Sequence, residues 1–241
     1  MLNPEAVFDT EELAQCTGGR WEGEWTHKGK RLRVTGVTDD SRLAGPGALF
    51  VAVPGERVDG HTFVGKAVEQ GAAAVCAAVG RDIGTSRVPV LRVPDTLEAF
   101  QRIAAAHRAR FADLPVVGIT GSSGKTTVKE MVAAVLEQGG AGPVLCTEGN
   151  TNNHFGVPRN LLRLRARHRA AVIELGTNHP GEIRALCRLA APTLGVVTNV
   201  GPAHLEFLGD LAGVAQEKGD LPAHLPADGV AVFPLETPCA D

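Results

Sequence analysis

The sequence predicts an α/β protein in two parts, a small amino-terminal α/β domain followed by a phosphate-loop domain with a mostly parallel sheet. Three observations predict it. Apolar β-rich runs alternate with helical runs along the chain. One such run, Val116–Thr120, leads into a glycine-rich turn that ends Gly124-Lys125-Thr126. Between the halves, Ala112-Asp-Leu-Pro115 breaks the alternation.

In the first half, β-rich runs at Gly47–Val53, Ala73–Ala78 and Val88–Val93 surround a helical stretch at Thr62–Gln70. Asp95-Thr-Leu-Glu98 carries the Asp and Glu of a capping box. Leu97, Phe100, Ile103, Ala104 and His107 then continue a helix to about Phe111. The break that follows places the domain boundary, giving expected domains of 1–112 and 113–241. Two polar loops, Thr38-Asp-Asp-Ser-Arg42 and Gly55-Glu-Arg-Val-Asp-Gly-His61, each offer an arginine to a phosphate or carboxylate; either also fits a surface turn.

The second half is expected to form strands at Val116–Thr120, Val144–Cys146, Ala170–Leu175, Leu194–Asn199 and Gly229–Phe233. Several end in polar residues: Thr120, Glu174 followed by Gly-Thr-Asn178, and Thr198-Asn199. Ligands of open α/β sheets sit at the carboxyl ends of strands, so these residues should gather around one ligand.

That ligand is a nucleotide. In Gly121–Thr127 the two glycines let backbone N–H groups wrap around phosphate oxygens, with Ser122, Ser123 and Thr127 in the same turn. Lys125 can reach the terminal phosphates, and the Thr126 hydroxyl can join a magnesium shell. The loop is short, because Ile119 stands where the common form has its first glycine. A helix should follow, since Val128, Met131, Val132, Val135 and Leu136 make one apolar stripe that stops at Gly139-Gly140. With both flanks correct, nucleotide binding is favoured over an ordinary strand-to-helix turn.

Other constellations are less specific by themselves. Glu174 ends an apolar strand and is costly to bury without a positive partner; a magnesium shared with Thr126 and a structural arginine both fit. His204 lies in the loop Asn199–Glu206, where a lone histidine is commonly a polar surface residue. Lys218 continues the helical pattern of Leu211, Val214 and Ala215 on the inward face, either snorkelling or chemically special. Asn150, Asn152 and Asn153 crowd the segment Thr147–Pro158 and suit a polar substrate. The run Arg159, Arg163, Arg165, Arg167 and Arg169, with His168, reads as a solvated face because no aromatic residues are interleaved for base stacking.

Bulk properties narrow the partners. The 241 residues are 44% hydrophobic with a net charge of −3, a mean hydropathy of +0.01 and a pI near 6.2, which gives no electrostatic case for nucleic acid. The five cysteines, Cys16, Cys76, Cys146, Cys187 and Cys239, are odd in number and scattered, as in a reducing compartment. No basic-then-apolar leader and no long apolar run are present, so a cytoplasmic protein without membrane insertion is expected; a monomer is expected as well.

Taken together, Thr120-Gly-Ser-Ser-Gly-Lys-Thr-Thr127, Thr147–Pro158, Glu174–Ile183, Thr198–Glu206, Asp40-Ser-Arg42 and Gly47–His61 resemble the Mur ligase family over nearly the whole chain. Within it, they are most similar to the branch that adds D-alanyl-D-alanine. The resemblance implies a UDP-substrate domain, then a central ATP-binding domain. It also implies ATP and Mg2+ as cofactors, UDP-MurNAc-tripeptide and D-Ala-D-Ala as substrates, and an acyl-phosphate route to an amide. Lys125 is assigned to the phosphates, Thr126 and Glu174 to one magnesium, His204 to a second, and Lys218 to the lysine that the family carries as a carbamate. Ser41 and Arg42 fall in the region that holds the UDP moiety.

The family has three domains, so a chain ending at Asp241 is expected to stop inside the central one, with the C-terminal domain absent. Pro234–Asp241 also lacks the acidic signature often found after that strand. Three other functions are weighed: the ligase that adds the third residue of the same peptide, a non-catalytic module that binds nucleotide or UDP-substrate, and a plain phosphate-loop ATPase or kinase. The first is opposed by Glu174-Leu-Gly-Thr-Asn, and the last leaves Lys218 and the asparagine loop unexplained.

Overall fold

A computed structural model describes residues 7–23, 26–27, 30–55 and 58–234. Glu56, Arg57, Cys239, the residues before Val7 and those after Pro234, each part of an expectation above, lie outside the described residues. The chain divides into two compact units, Met1–His107 and Arg108–Asp241.

The first unit runs β1 (Phe8–Asp9), α1 (Thr10–Thr17), β2 (Arg20–Glu22), β3 (Thr26–His27), β4 (Lys30–Arg31), β5 (Arg33–Val34), β6 (Gly36–Thr38), β7 (Ala48–Val51), α2 (Val64–Glu69), β8 (Ala74–Ala78), β9 (Val90–Val93) and α3 (Thr96–Ala109). Its main sheet has the order β2-β9-β8-β7-β6, parallel from β6 to β9 with β2 antiparallel at the edge. Phe50, Val75, Ala77 and Val90 pack with Val64 and Ala67 of α2, which buries the face that the apolar runs predict. The expected helix at 62–70 begins as a 3-10 turn, Gly60–Phe63, because Asp59 accepts from the His61 N–H at 3.0 Å and sets a tight start. Asp95 caps α3 through the Glu98 N–H at 2.8 Å, as the capping box requires.

The second unit alternates strictly: β10 (Val116–Thr120), α4 (Lys125–Gln138), β11 (Val144–Cys146), α5 (Gly156–Leu161), β12 (Ala170–Glu174), α6 (Glu182–Ala190), β13 (Leu194–Val197), α7 (Leu205–Leu208), α8 (Leu211–Ala223) and β14 (Val230–Val232). All five strands are parallel, in the order β11-β12-β10-β13-β14. From β10 the chain crosses to one edge, and from β12 it returns past β10 to the other side. The sheet therefore reverses its winding beside β10, where a ligand crevice opens. The expected strand at 194–199 ends at Val197 because Thr198 and Asn199 turn away to bond the phosphate loop.

Helix α4 covers one face of this sheet, against Val117, Ile119 and Val172. Its contact stripe differs from the predicted one. Val128, Val132 and Leu136 pack inward with Ala133 and Lys129, while Met131 and Val135 are exposed. The stripe is rotated because a buried lysine with fixed partners, not a valine, faces the sheet. The opposite face receives α8, whose Leu221 lies over Gly118 and Gly195. A Cβ at Gly118 would stand 3.0 Å from Leu221 Cδ1, and one at Gly195 3.1 Å from Leu221 Cγ, so the two glycines set the depth of the helix. The buried guanidinium of Arg108, the first residue of the second unit, fixes the end of α6 by donating to the carbonyls of Ala190 at 2.9 Å and Ala191 at 3.1 Å, and it also donates to Phe111 O. No described helix is long and apolar enough to cross a membrane.

Replacing Gly118 by valine should overpack the seat of Leu221 and cost about 1–3 kcal/mol. Urea unfolding of Gly118→Val against the parent chain measures this, and an unchanged midpoint would contradict the packing account.

Candidate active site

The turn after β10 is built from backbone that other residues rarely adopt. Gly121 has φ +149°, and a side chain there would fall on the Thr198 hydroxyl; Gly124 has φ +75° and starts α4. The two serines tie the turn to the segment after β13. The Ser122 hydroxyl donates to Gly201 O at 2.8 Å, the Ser123 N–H donates to Asn199 Oδ1 at 2.9 Å, and Thr198 donates its hydroxyl to Ser123 O at 2.6 Å. Lys125 folds back to donate to Gly121 O at 2.8 Å. Thr126 and Thr127 stand exposed in the first turn of α4, whose N–H groups have no partners within the helix and point at the turn.

Beside this turn, Glu174 is 1% exposed at the end of β12. Among the described residues its carboxylate meets no arginine: it accepts from the Thr126 hydroxyl at 3.0 Å and from Asn152 Nδ2 at 2.8 Å. Of the partners open from the sequence, the structural arginine is therefore not the one found. Thr126 and Glu174 together present two hard oxygen donors next to the phosphate turn. That set fits magnesium, which takes one or two protein oxygens and completes its shell with phosphate and water. Among the described residues no group of three or more His, Cys, Asp or Glu could hold a metal.

The asparagine loop is shaped around Glu174. Asn152 also bonds Asn150 Oδ1 at 2.8 Å, and Gly176 leaves room for the Asn152 amide, which a Cβ there would approach to 2.6 Å. Asn153 accepts from the N–H groups of Phe155 and Gly156, so its side chain starts α5. Two residues that the sequence pattern did not single out hold the loop in place. Asn160, buried, accepts from the Glu148 N–H at 3.1 Å and donates to Thr151 O and Gly156 O. Lys129, buried in α4, donates to Thr147 O at 2.8 Å and pairs with Glu130 at 2.9 Å; Thr147 Oγ1 in turn accepts from the Glu174 N–H at 2.9 Å. Lys129 lies off the apolar stripe read from the sequence, which therefore gave no signal for it.

On the other face, α8 presents two adjacent buried charges. Glu217 accepts from Thr177 Oγ1 at 3.0 Å, Gly181 N at 2.6 Å and Ile183 N at 2.8 Å, which fastens α8 to the start of α6. Lys218 is 2% exposed. Burial lowers its ammonium to about 8, with repulsion from Lys125 adding to the shift and Glu217 opposing it. The inward lysine is thus not snorkelling, and it faces the phosphate turn. His204 heads α7 in the left-handed region, with φ +52°, and is exposed. Ser41 and Arg42 belong to the first unit. Ser41 is buried in a 3-10 turn, and Arg42, 77% exposed, forms a two-pronged pair with Asp40. His61 there is buried, with Nδ1 against Asp59 at 2.6 Å and Nε2 accepting from the Ala78 N–H at 3.0 Å, a structural role.

Parallel α/β units with this turn and carboxylate define a phosphate-loop domain, and comparison with known proteins gives the family. Residues 119–241 match the Mur ligase middle domain and residues 33–108 the Mur ligase family catalytic domain. The chain belongs to the Mur ligase family. It is 46% identical over 206 residues to the UDP-N-acetylmuramoyl-tripeptide--D-alanyl-D-alanine ligase of Escherichia coli K12, covering 86% of this chain and 44% of that protein. The Haemophilus influenzae protein of the same name is 41% identical, covering 95% and 49%. Among solved structures, MurF from Acinetobacter baumannii superposes with a TM-score of 0.85 at 36% identity, covering 96% of this chain and 49% of that one. MurF ligase from Thermotoga maritima in complex with ADP gives 0.75 at 34% identity, covering 84% and 46%. The chain spans about half the length of the curated relatives it matches.

Asn160→Ala should remove the side-chain partner of the Glu148 N–H and of the Thr151 carbonyl, at a cost of about 1–3 kcal/mol. Thermal unfolding reports it, and a variant as stable as the parent would remove Asn160 from this role.

Proposed function

We propose that this chain carries the substrate- and nucleotide-binding parts of an ATP-dependent ligase that joins D-alanyl-D-alanine to a UDP-MurNAc-tripeptide. The observation that carries the reading is the buried Glu174 carboxylate, hydrogen-bonded to Thr126 of the phosphate turn and to Asn152 of the asparagine loop. This one group touches both the nucleotide side and the substrate side of the crevice. The family membership and the names of the relatives support the same reading.

In this reaction a carboxylate oxygen of the tripeptide attacks the γ-phosphorus of ATP, and ADP leaves. The amine of D-Ala-D-Ala then attacks the acyl carbon, inorganic phosphate departs, the amine loses a proton and an amide remains. Residues 113–241 hold the nucleotide. Gly121–Thr127 supplies N–H groups to the phosphates, and Lys125 swings from Gly121 O to the terminal phosphate. Thr126 and Glu174 hold magnesium, and His204 and Lys218, the latter as a carbamate, serve a second ion. When bound, magnesium offsets charge on the transferring phosphoryl group. Residues 1–112 hold the UDP end of the substrate through Ser41 and Arg42. Asn150 and Asn152 face the peptide, and Asn153 sets the shape of their loop. The protein works as a monomer in the cytoplasm.

Calorimetric titration of ADP tests the nucleotide site. Lys125→Ala should weaken binding at least tenfold, about 1.4 kcal/mol. Glu174→Gln should weaken binding in magnesium but not in EDTA; equal loss in both would remove Glu174 from the metal site. For the reaction, phosphate release that requires UDP-MurNAc-tripeptide and D-Ala-D-Ala together supports the assignment. Release that is supported equally by a single amino acid in place of the dipeptide would overturn it.

A further inference from the structure

The last residue of β10 carries a buried hydroxyl without a use. Thr120 is 0% exposed and its Oγ1 has no hydrogen-bond partner. Buried hydroxyls are nearly always bonded, so this one needs an explanation. Its direction follows from the strand. Val117 and Ile119 face α4, whereas a side chain at Gly118 would meet Leu221 of α8; by alternation Thr120 shares the α8 face.

Along that face Thr120 falls beneath Lys218. Helix α8 links two parallel strands and runs opposite to them, and Leu221 is seated over Gly118. Lys218 comes three residues earlier on the same buried stripe, about 4.5 Å toward the carboxyl ends of the strands. Thr120, two residues after Gly118, advances about 6.6 Å in the same direction. The Glu217 carboxylate bonds instead to Thr177, Gly181 and Ile183.

We propose that Thr120 is a positioning residue that donates its hydroxyl to a carbamate oxygen on Lys218 and so holds that group toward the phosphate turn. The inference rests on the carbamate reading above. In forming the carbamate, the neutral Nζ of Lys218 attacks the carbon of CO2. A nitrogen–carbon bond forms, one carbon–oxygen π pair moves onto oxygen, and a proton is released to solvent. The product has two oxygens that share one negative charge, and one of them meets the orphaned donor. The other remains free for a cation.

The test uses the whole 241-residue chain equilibrated with 13C-bicarbonate, with the lysine carbamate resonance read by 13C NMR. The parent should show the signal, and Lys218→Met should abolish it. Thr120→Val should lower carbamate occupancy about tenfold at limiting CO2, the loss of one hydrogen bond to a charged group, while Thr120→Ser retains it. Thr120→Cys, a weak donor of similar size, replaces the valine variant if that one does not fold. Undiminished signal in Thr120→Val, or loss in Thr120→Ser as large as in Thr120→Val, overturns the role of Thr120. A parent chain with no Lys218 signal overturns the carbamate reading itself, and the proposal with it.

Discussion

A carboxylate buried at the end of a β-strand has to be compensated, and much of the second unit is arranged to compensate Glu174. The strand offers it no cation, so hydroxyl and amide donors are brought from two directions, Thr126 from the start of α4 and Asn152 from the loop after β11. Each donor then has to be placed. Thr126 is placed by the glycine turn, and Asn152 by a loop that Asn160 and Thr147 hold from inside. Glycine at 176 follows from the same demand, since any larger residue would displace the amide from the carboxylate.

The parallel sheet supplies the frame on which these donors converge. Because winding reverses beside β10, the segments after β10, β12 and β13 all open at one edge, and the turn between β10 and α4 is braced by Thr198 and Asn199 from the neighbouring strand. The two faces are packed differently. Helix α4 meets the sheet through branched side chains and one buried lysine. Helix α8 is seated over two glycines and brings Lys218 near Lys125 of the phosphate turn.

Much of this was legible in the sequence for a physical reason. The strands of a fully covered parallel sheet are continuous apolar runs, and Val116–Thr120 and Ala170–Glu174 are buried throughout, so their limits are read within a residue. The glycine turn and Lys125 are local features, and they lie where their spacing puts them. What escaped depends on tertiary contact. Lys129 looks like a solvated residue of an amphipathic helix until Thr147 and Glu130 are found around it. Asn160 is one asparagine among several, and its five side-chain hydrogen bonds, to residues from 148 to 163, have no sequence signature. The inward face of α4 was displaced for the same reason, because periodicity counts apolar residues and does not register a lysine that belongs inside.

Glu217 and Lys218 are neighbours on one helix, yet they serve different surfaces: the first grips α6, and the second reaches the sheet over which Leu221 is seated. Successive helical residues diverge by about 100°, so all three positions are satisfied by a single rotational setting of α8. Evolutionary drift in chain length is therefore partitioned. Insertions can accumulate around the exposed α7, upstream of the Asp210 cap, without turning the helix. Between Glu217 and Leu221 even one added or lost residue would separate the anchor from the buried amine, so related chains should keep this interval constant while the segment before it varies.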